Sequence, residues 1–388
     1  MARNIRYGAA GIHFPPLEGH LGAVQGYERA GFDFTIWADQ TSLTIPRSIW
    51  TPDLVPCSEH WDIDLYMDPW LLASTAATAT ERMELGITVI DSLRRLPANI
   101  AQLSLSMDHI SKGRFFFAMG AGELKQFAPY GVPRRKPFGH LEESMKIVRM
   151  LWESEDPVNY DGPIWKLENA TMPLMPYGDS PPKLLVAGGP GRSVDIAGKY
   201  GDGWCTYIPT CGDPEWYAAQ VKSVKEAAEK NGRDPDELIF WLLCMCIIDE
   251  TEDKVEEWTH HPVIRWDAAA VIPTGDTFPS WGYKNPLGDD WSYPAMLLPM
   301  NYSREQALAI ADEVDPGAVR FARACGTPEQ VANIIQPYIE AGGNAVNIIN
   351  YNTLLSSADF GDAEKKQSLV GDTIAHLRRL NGQAPAAP

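Results

Sequence analysis

KLLVAGGPGRSVDIAGKYGDGW, residues 183–204, runs through an apolar strand, a glycine turn, an amphipathic helix and the opening of a second strand. Lys183–Gly189 is apolar almost throughout, as a strand buried on both faces requires. A strand followed at once by a helix and then by another strand is the repeating unit of a parallel sheet. How often the unit recurs decides the fold. What Gly188, Gly189 and Gly191 do between strand and helix bears on function.

The unit recurs along most of the 388 residues. Strands are predicted at Ile5–Ile12, Phe32–Asp39, Met83–Asp91, Arg114–Gly122, Lys183–Gly189, Gly203–Pro209, Leu238–Asp249 and Ala345–Asn352. Helix patterns lie between them, the last opening at Thr327 with Glu329 in its first turn and closing at Gly342–Gly343. Eight alternations predict a single α/β domain over residues 1–388, a (β/α)8 TIM barrel; a doubly wound open sheet is the competing architecture. Three stretches exceed the minimal repeat: about 40–68 and 260–325, after strand candidates two and seven, and 155–182, after the fourth helix. Residues 381–388 read as a flexible tail. The first and third insertions are rich in Trp and Pro, and loops after barrel strands open on the catalytic face. They are expected either to wall a substrate cleft or to pack against neighbouring subunits.

Composition narrows the field. With 33 Lys+Arg against 51 Asp+Glu, the net charge of −18 argues against nucleic acid and anionic membranes as partners. No apolar run is long enough to span a bilayer, and the N-terminus lacks an apolar signal segment. Six scattered Cys show neither zinc spacing nor a disulfide framework, so no metal site is expected and the chain reads as cytoplasmic. The glycine turn has two readings. Any strand-to-helix turn favours glycine, yet glycines at a helix N-terminus also admit an anion to free N–H groups, with Arg192 adding a full charge. The turn is not GxGxxG, so a dinucleotide is not indicated.

Four blocks in order carry a resemblance: LPANIAQLSLSMDHISKGRFFFAMGAGE, PYGVPRRKPFGHLEESMKIVRMLW, VAGGPGRSVDIAGKYGDGW and CGTPEQVANIIQPYIEAGGNAVNI. Together, over about Ile5 to Leu380, they resemble the bacterial luciferase-like superfamily. Within it they are most similar to the branch that uses the deazaflavin coenzyme F-420. WADQTSLTIPRS and the PYGV block resemble the phthiodiolone ketoreductase-like and hydroxymycolate dehydrogenase-like members; the F-420-dependent glucose-6-phosphate dehydrogenases are more distant. The resemblance implies a TIM barrel, commonly a homodimer, with the deazaflavin ring in the barrel mouth and its phosphate on the turn at Ala187, Gly188, Gly189, Gly191 and Arg192. It also implies a non-proline cis peptide at Thr88–Val89 beneath the ring.

By the same resemblance, Asp39 and Glu123 are the acids at the ends of strands two and four, serving cofactor binding and proton transfer. The family's histidine after the aspartate is Gln40 here, which can orient a substrate oxygen but not act as a general acid. Burial would hold the Glu123 carboxyl protonated. His13, at the end of the first strand, is a further catalytic candidate, and His60 and Arg265 could replace missing groups; His260 and His261 read as structural. Arg94, Arg95, Arg134, Arg135, Lys136 and Arg192 would suit the phosphate and polyglutamate tail of F-420, or serve only as solvated surface charge. CTYIPTCGDPEWY, which ends strand six and follows it, lacks the lysine with which the resemblance implies sugar-phosphate relatives hold their substrate, so a hydrophobic ketone or secondary alcohol is expected. An FMN-dependent monooxygenase and a non-catalytic flavin- or lipid-binding barrel are the alternatives.

Overall fold

The computed structural model describes residues 4–355 and 360–384. Its strands are β1 (Arg6–Ala10), β2 (Phe34–Trp37), β3 (Glu84–Asp91), β4 (Phe115–Gly120), β5 (Val158–Asp161), β6 (Lys166–Ala170), β7 (Lys183–Ala187), β8 (Gly203–Ile208), β9 (Ile239–Ile248), β10 (Ala324–Gly326) and β11 (Ala345–Asn350). β1, β2, β3, β4, β7, β8, β9 and β11 pair in parallel in that order, and β11 returns to β1, closing an eight-stranded barrel. The eight strands expected from sequence are these eight. The open sheet is therefore not formed.

Side-chain size explains the closure. The barrel lumen holds Phe34, Phe116 and Trp241, with ring centroids 4.5–6.1 Å apart, along with Ile36, Leu185 and Leu243. Glycine stands where these rings need room. A Cβ on Gly8 would lie 2.3 Å from the Phe34 ring, and one on Gly86 2.2 Å from Phe116. Residues of opposite parity, among them Tyr7, Trp37, Leu85, Ile87, Phe117 and Val186, face outward into a larger core against the helices.

The insertions depart from the expected loops. Residues 155–182 contain the antiparallel hairpin β5–β6, and three-residue β10 pairs with the end of β9. The third insertion is largely helical, including Pro262–Ala270, Arg304–Glu313 and Pro316–Ala322. Together with the first it forms a second apolar core containing Ile45, Ile49, Trp50, Trp266, Phe278 and Trp291. These large aromatics pack against each other within the chain. The C-terminal helix Phe360–Leu380 completes the outer ring, and the segment after it is anchored: Asn381 Nδ2 donates to the Tyr7 hydroxyl at 3.3 Å and Gln383 to the Ile5 carbonyl at 2.8 Å. The expected flexible tail is thus pinned to β1 as far as Gln383, and residues 385–388 lie outside the described residues.

Candidate active site

The mouth at the C-terminal ends of the strands collects the polar groups. At the turn after β7, Gly191 has φ 83°, a conformation open chiefly to glycine, and is the N-cap of the helix Arg192–Tyr200. No side chain caps that helix. Among the described residues, the N–H groups of Gly189, Gly191, Arg192 and Ser193 donate to no protein acceptor, whereas the Gly188 N–H donates to Cys205 at 3.1 Å. A Cβ on Gly189 or Gly191 would meet nothing within 4 Å. This is an open row of unpaired donors at a helix N-terminus. Arg192, the first residue of that helix, is exposed, its guanidinium near the Phe138 ring (5.7 Å) and Glu142 (3.3 Å). Exposed Arg135 and Lys136, with half-buried Arg134, immediately precede the helix that carries Phe138.

Asp39, just past β2, is buried and fully engaged. Arg94 Nη2 lies 2.5 Å from Oδ1, Arg95 Nε donates to Oδ2 at 2.7 Å, and Arg95 Nη2 donates to Oδ1 at 2.8 Å. Both oxygens are thus held by guanidinium groups. Asp39 positions Arg94 and Arg95, and those two arginines turn inward to it, leaving the expected basic patch. Glu123 has a cation beside it. The Lys125 ammonium, wholly buried, lies 2.8 Å from its Oε2 and donates to the Ser42 carbonyl at 2.9 Å. Two residues along the same turn, Lys125 went unread because only the fold shows it buried.

Between these ion pairs lie buried polar atoms without a protein partner: Gln40 Oε1, Thr88 Oγ1, Asp91 Oδ2 and Arg94 Nε. The Thr88–Val89 peptide is cis. Asp91, named from sequence only as the end of a strand and given no site role, ends β3 with Oδ1 accepting from Leu93 N–H at 2.7 Å. Burial pushes its carboxyl up to about 6, opposed by that hydrogen bond and the nearby Arg94 charge. His13 follows β1, its Nε2 accepting from Ala38 N–H at 2.8 Å and its ring 5.2 Å from Tyr66. Burial, with the charge of His20 adding to it, pushes the His13 imidazole down to about 4.

Four tyrosines that alternation alone did not single out complete the mouth: Tyr66, Tyr207, Tyr293 and Tyr351. Burial raises the phenol of each, and the Glu123 carboxylate adds to the effect on Tyr207 and Tyr293. Behind Tyr351 lies the fully buried pair Arg323–Asp267, which Thr44 Oγ1 joins by donating to Asp267 at 2.7 Å. The sequence candidates are not all in the mouth. His60 is exposed, Arg265 is bound to the Val314 and Asp312 carbonyls, and His261 lies against the Leu54 carbonyl. Among the described residues there is no His/Cys/Asp/Glu cluster able to hold a metal, and no helix is long and apolar enough to cross a membrane.

A closed parallel barrel with an anion-receptive turn after its fifth strand and unanswered polar groups at neighbouring strand ends defines a (β/α)8 barrel of the enzyme kind, its site at the C-terminal mouth. The family model for luciferase-like monooxygenases matches residues 3–345, and the chain belongs to that family. It is an oxidoreductase. A phthiodiolone/phenolphthiodiolone dimycocerosates ketoreductase of Mycobacterium tuberculosis is 28% identical over 316 residues, 80% of this chain and 82% of that one. An F420-dependent glucose-6-phosphate dehydrogenase of Amycolatopsis mediterranei is 31% identical over 330 residues, covering 80% and 85%. Among solved structures, an F420-dependent secondary alcohol dehydrogenase in complex with an F420-acetone adduct superposes with TM-score 0.71 at 21% identity, covering 97% of this chain and 99% of that one. The long-chain alkane monooxygenase LadA superposes with TM-score 0.66 at 16% identity, covering 100% and 94%. These two show the shared fold.

Proposed function

We propose that the protein is an F-420-dependent oxidoreductase acting between a hydrophobic ketone and its secondary alcohol. The observation that carries this reading is the pairing of two features in one mouth. One is the row of unpaired N–H groups from Gly189 to Ser193; the other is the set of unpartnered buried atoms on Gln40, Thr88, Asp91 and Arg94. The first suits a phosphate, and the second suits the carbonyl and N–H edge of a flat heterocycle. The names of the ketoreductase and dehydrogenase relatives support the same chemistry. When bound, the deazaflavin supplies or accepts a hydride.

The chain's own residues would divide the remaining work. Ala187 and the Gly188–Arg192 turn hold the phosphate, and Arg192 with Arg134, Arg135 and Lys136 offers charge to the tail beyond it. Thr88, Val89 and Asp91 border the ring, with Arg94 fixed there by Asp39. Glu123, held by Lys125, would exchange the proton that the carrier ring itself gains or loses, not the one on the substrate oxygen. Tyr66, Tyr207, Tyr293 and Tyr351 give an aromatic, weakly polar substrate wall whose hydroxyls remain protonated at neutral pH.

The cationic rim distinguishes F-420 from FMN, whose tail ends at the phosphate. Fluorescence titration of the full chain should give F-420 a dissociation constant at least about tenfold lower than FMN, a difference of about 1.4 kcal/mol. Equal affinities, or preference for FMN, would return the reading to a flavin-dependent monooxygenase.

A further inference from the structure

We propose that His13, as a neutral imidazole with its proton on Nδ1, is the group that hydrogen-bonds the substrate oxygen and protonates it. The proposal rests on the ketone–alcohol reading above and supplies what Gln40 cannot. The tautomer follows from geometry. Nε2 lies 2.8 Å from the Ala38 N–H, which can only donate, so Nε2 accepts and the proton of the neutral ring is on Nδ1. Nδ1 makes no hydrogen bond among the described residues, and it is not among the enclosed unpartnered atoms. The ring is clamped from two sides. Ala38 immediately precedes Asp39 and Gln40, and Met67 N–H donates to the His13 carbonyl at 2.8 Å, drawing the end of the first insertion and Tyr66 onto it. A donor fixed this way costs no reorganisation as charge develops on a carbonyl oxygen.

The surroundings favour the neutral form. The titratable and charged groups around the ring are His20 from the helix Leu17–Arg29, Tyr66 with Asp64 behind it, and Asp39 beyond Ala38. Asp39 is matched by Arg94 and Arg95, and Asp64 is bound to Leu43 N–H and Arg47, so neither leaves an unanswered charge to draw a second proton to His13. Burial opposes the cation further, placing the group at about 4. In ketone reduction the carbonyl carbon accepts a hydride from the bound reduced carrier and the C=O π pair moves to oxygen. Oxygen takes the Nδ1 proton, and His13 regains a proton from water. A secondary alkoxide is basic enough to take that proton from neutral imidazole, a use of the ring in which it acts as electrophile rather than as cationic acid.

The test has two arms. In the first, ¹⁵N-histidine NMR of the full chain without ligand, with His13→Gln to assign the signal, should show Nδ1 protonated and no titration between pH 5 and 8. A proton on Nε2, or titration near 6.5, overturns the proposal. In the second arm, 2-decanone is reduced with reduced F-420. Glutamine can still accept from Ala38 N–H through Oε1 but offers no donor at Nδ1. His13→Gln should therefore lower kcat by about 10²–10³-fold, with F-420 affinity held within threefold. The wild-type kcat should show no ionisation of this residue from pH 5 to 8. Wild-type turnover with an unchanged His13→Gln kcat overturns this proposal alone. Absence of wild-type turnover with 2-decanone and with its alcohol overturns the function and this proposal with it. His13→Asn, read by the same F-420 titration and kcat, separates a collapsed mouth, in which cofactor affinity falls too, from a lost proton donor. Collapse in both variants would make His13 a structural residue and overturn the proposal.

Discussion

Asp91 is a buried carboxyl with one unanswered oxygen, and its environment makes a pH-dependent prediction. The native state holds the proton up to about pH 6, whereas an ordinary aspartate releases it near 4. Between those values the folded protein binds more protons than the unfolded chain, so this residue's contribution lowers stability as pH rises. Below pH 4 the cost is absent; above pH 6 it is fully present, at about 3 kcal/mol. Asp91→Asn retains an acceptor for the Leu93 N–H and removes the titration. Urea denaturation of the cofactor-free protein should show the variant gaining on the wild type by up to about 3 kcal/mol between pH 4 and pH 8. A difference that stays constant with pH would mean that Asp91 titrates normally. The positions of Asp39, Glu123 and His13 at strand ends were legible from hydrophobic pattern and resemblance. Their partners were not. Arg94 and Arg95 read as a basic patch and Lys125 as nothing in particular, because a side chain's direction across a mouth belongs to tertiary structure. His13 needed the Ala38 amide to give it a tautomer.

Elements with strong periodicity read correctly, and those without it did not. Each barrel strand is buried on both faces, which leaves an apolar run that local pattern detects. The hairpin β5–β6 is mostly exposed and polar, and β10 has three residues, so neither produced such a run. The third insertion carried legible helix starts: Ser303 forms a capping box with Gln306, and Asp315 caps Gly317 before Pro316–Ala322. What its pattern could not show is how it is fastened. Arg323 and Asp267 are each about 1% exposed, and they join the third insertion to Thr44 of the first. Removing one member strands the other charge in an apolar core. Asp267→Ala should therefore cost about 3–5 kcal/mol in chemical denaturation. Asp267→Leu with Arg323→Met, which removes both charges, should recover most of that loss. A single variant as stable as the wild type would mean that water reaches Arg323, and that the second core is looser than its packing indicates.

Charge across the whole molecule separates where an anion can bind from where it cannot. The chain is strongly acidic at −18, yet the cations that bear on the mouth fall into two groups. Arg135, Lys136 and Arg192 stand exposed, Arg192 opening the helix after the β7 turn and the other two preceding the helix that carries Phe138. The cations within the mouth are already matched: Lys125 by Glu123, Arg323 by Asp267, and Arg94 and Arg95 by Asp39. The stretch from Cys205 to Tyr217, which ends β8 and opens the helix after it, supplies no lysine or arginine. A substrate phosphate would therefore enter a region of aromatic rings and answered charges, losing hydration without gaining a partner. A missing charge-assisted contact costs about 1.5–3 kcal/mol, roughly ten- to a hundredfold in affinity. Gln40, beside Asp39, also offers a sugar phosphate no titratable group to take its proton. Glucose 6-phosphate should accordingly be oxidised with F-420 at less than about 1% of the rate of a hydrophobic secondary alcohol such as 2-decanol at the same concentration. Steady-state assays following F-420 reduction decide it. Comparable rates would require one of the paired arginines to leave its carboxylate for the phosphate, and Asp39→Asn, which weakens that pairing, would then raise the glucose 6-phosphate rate further.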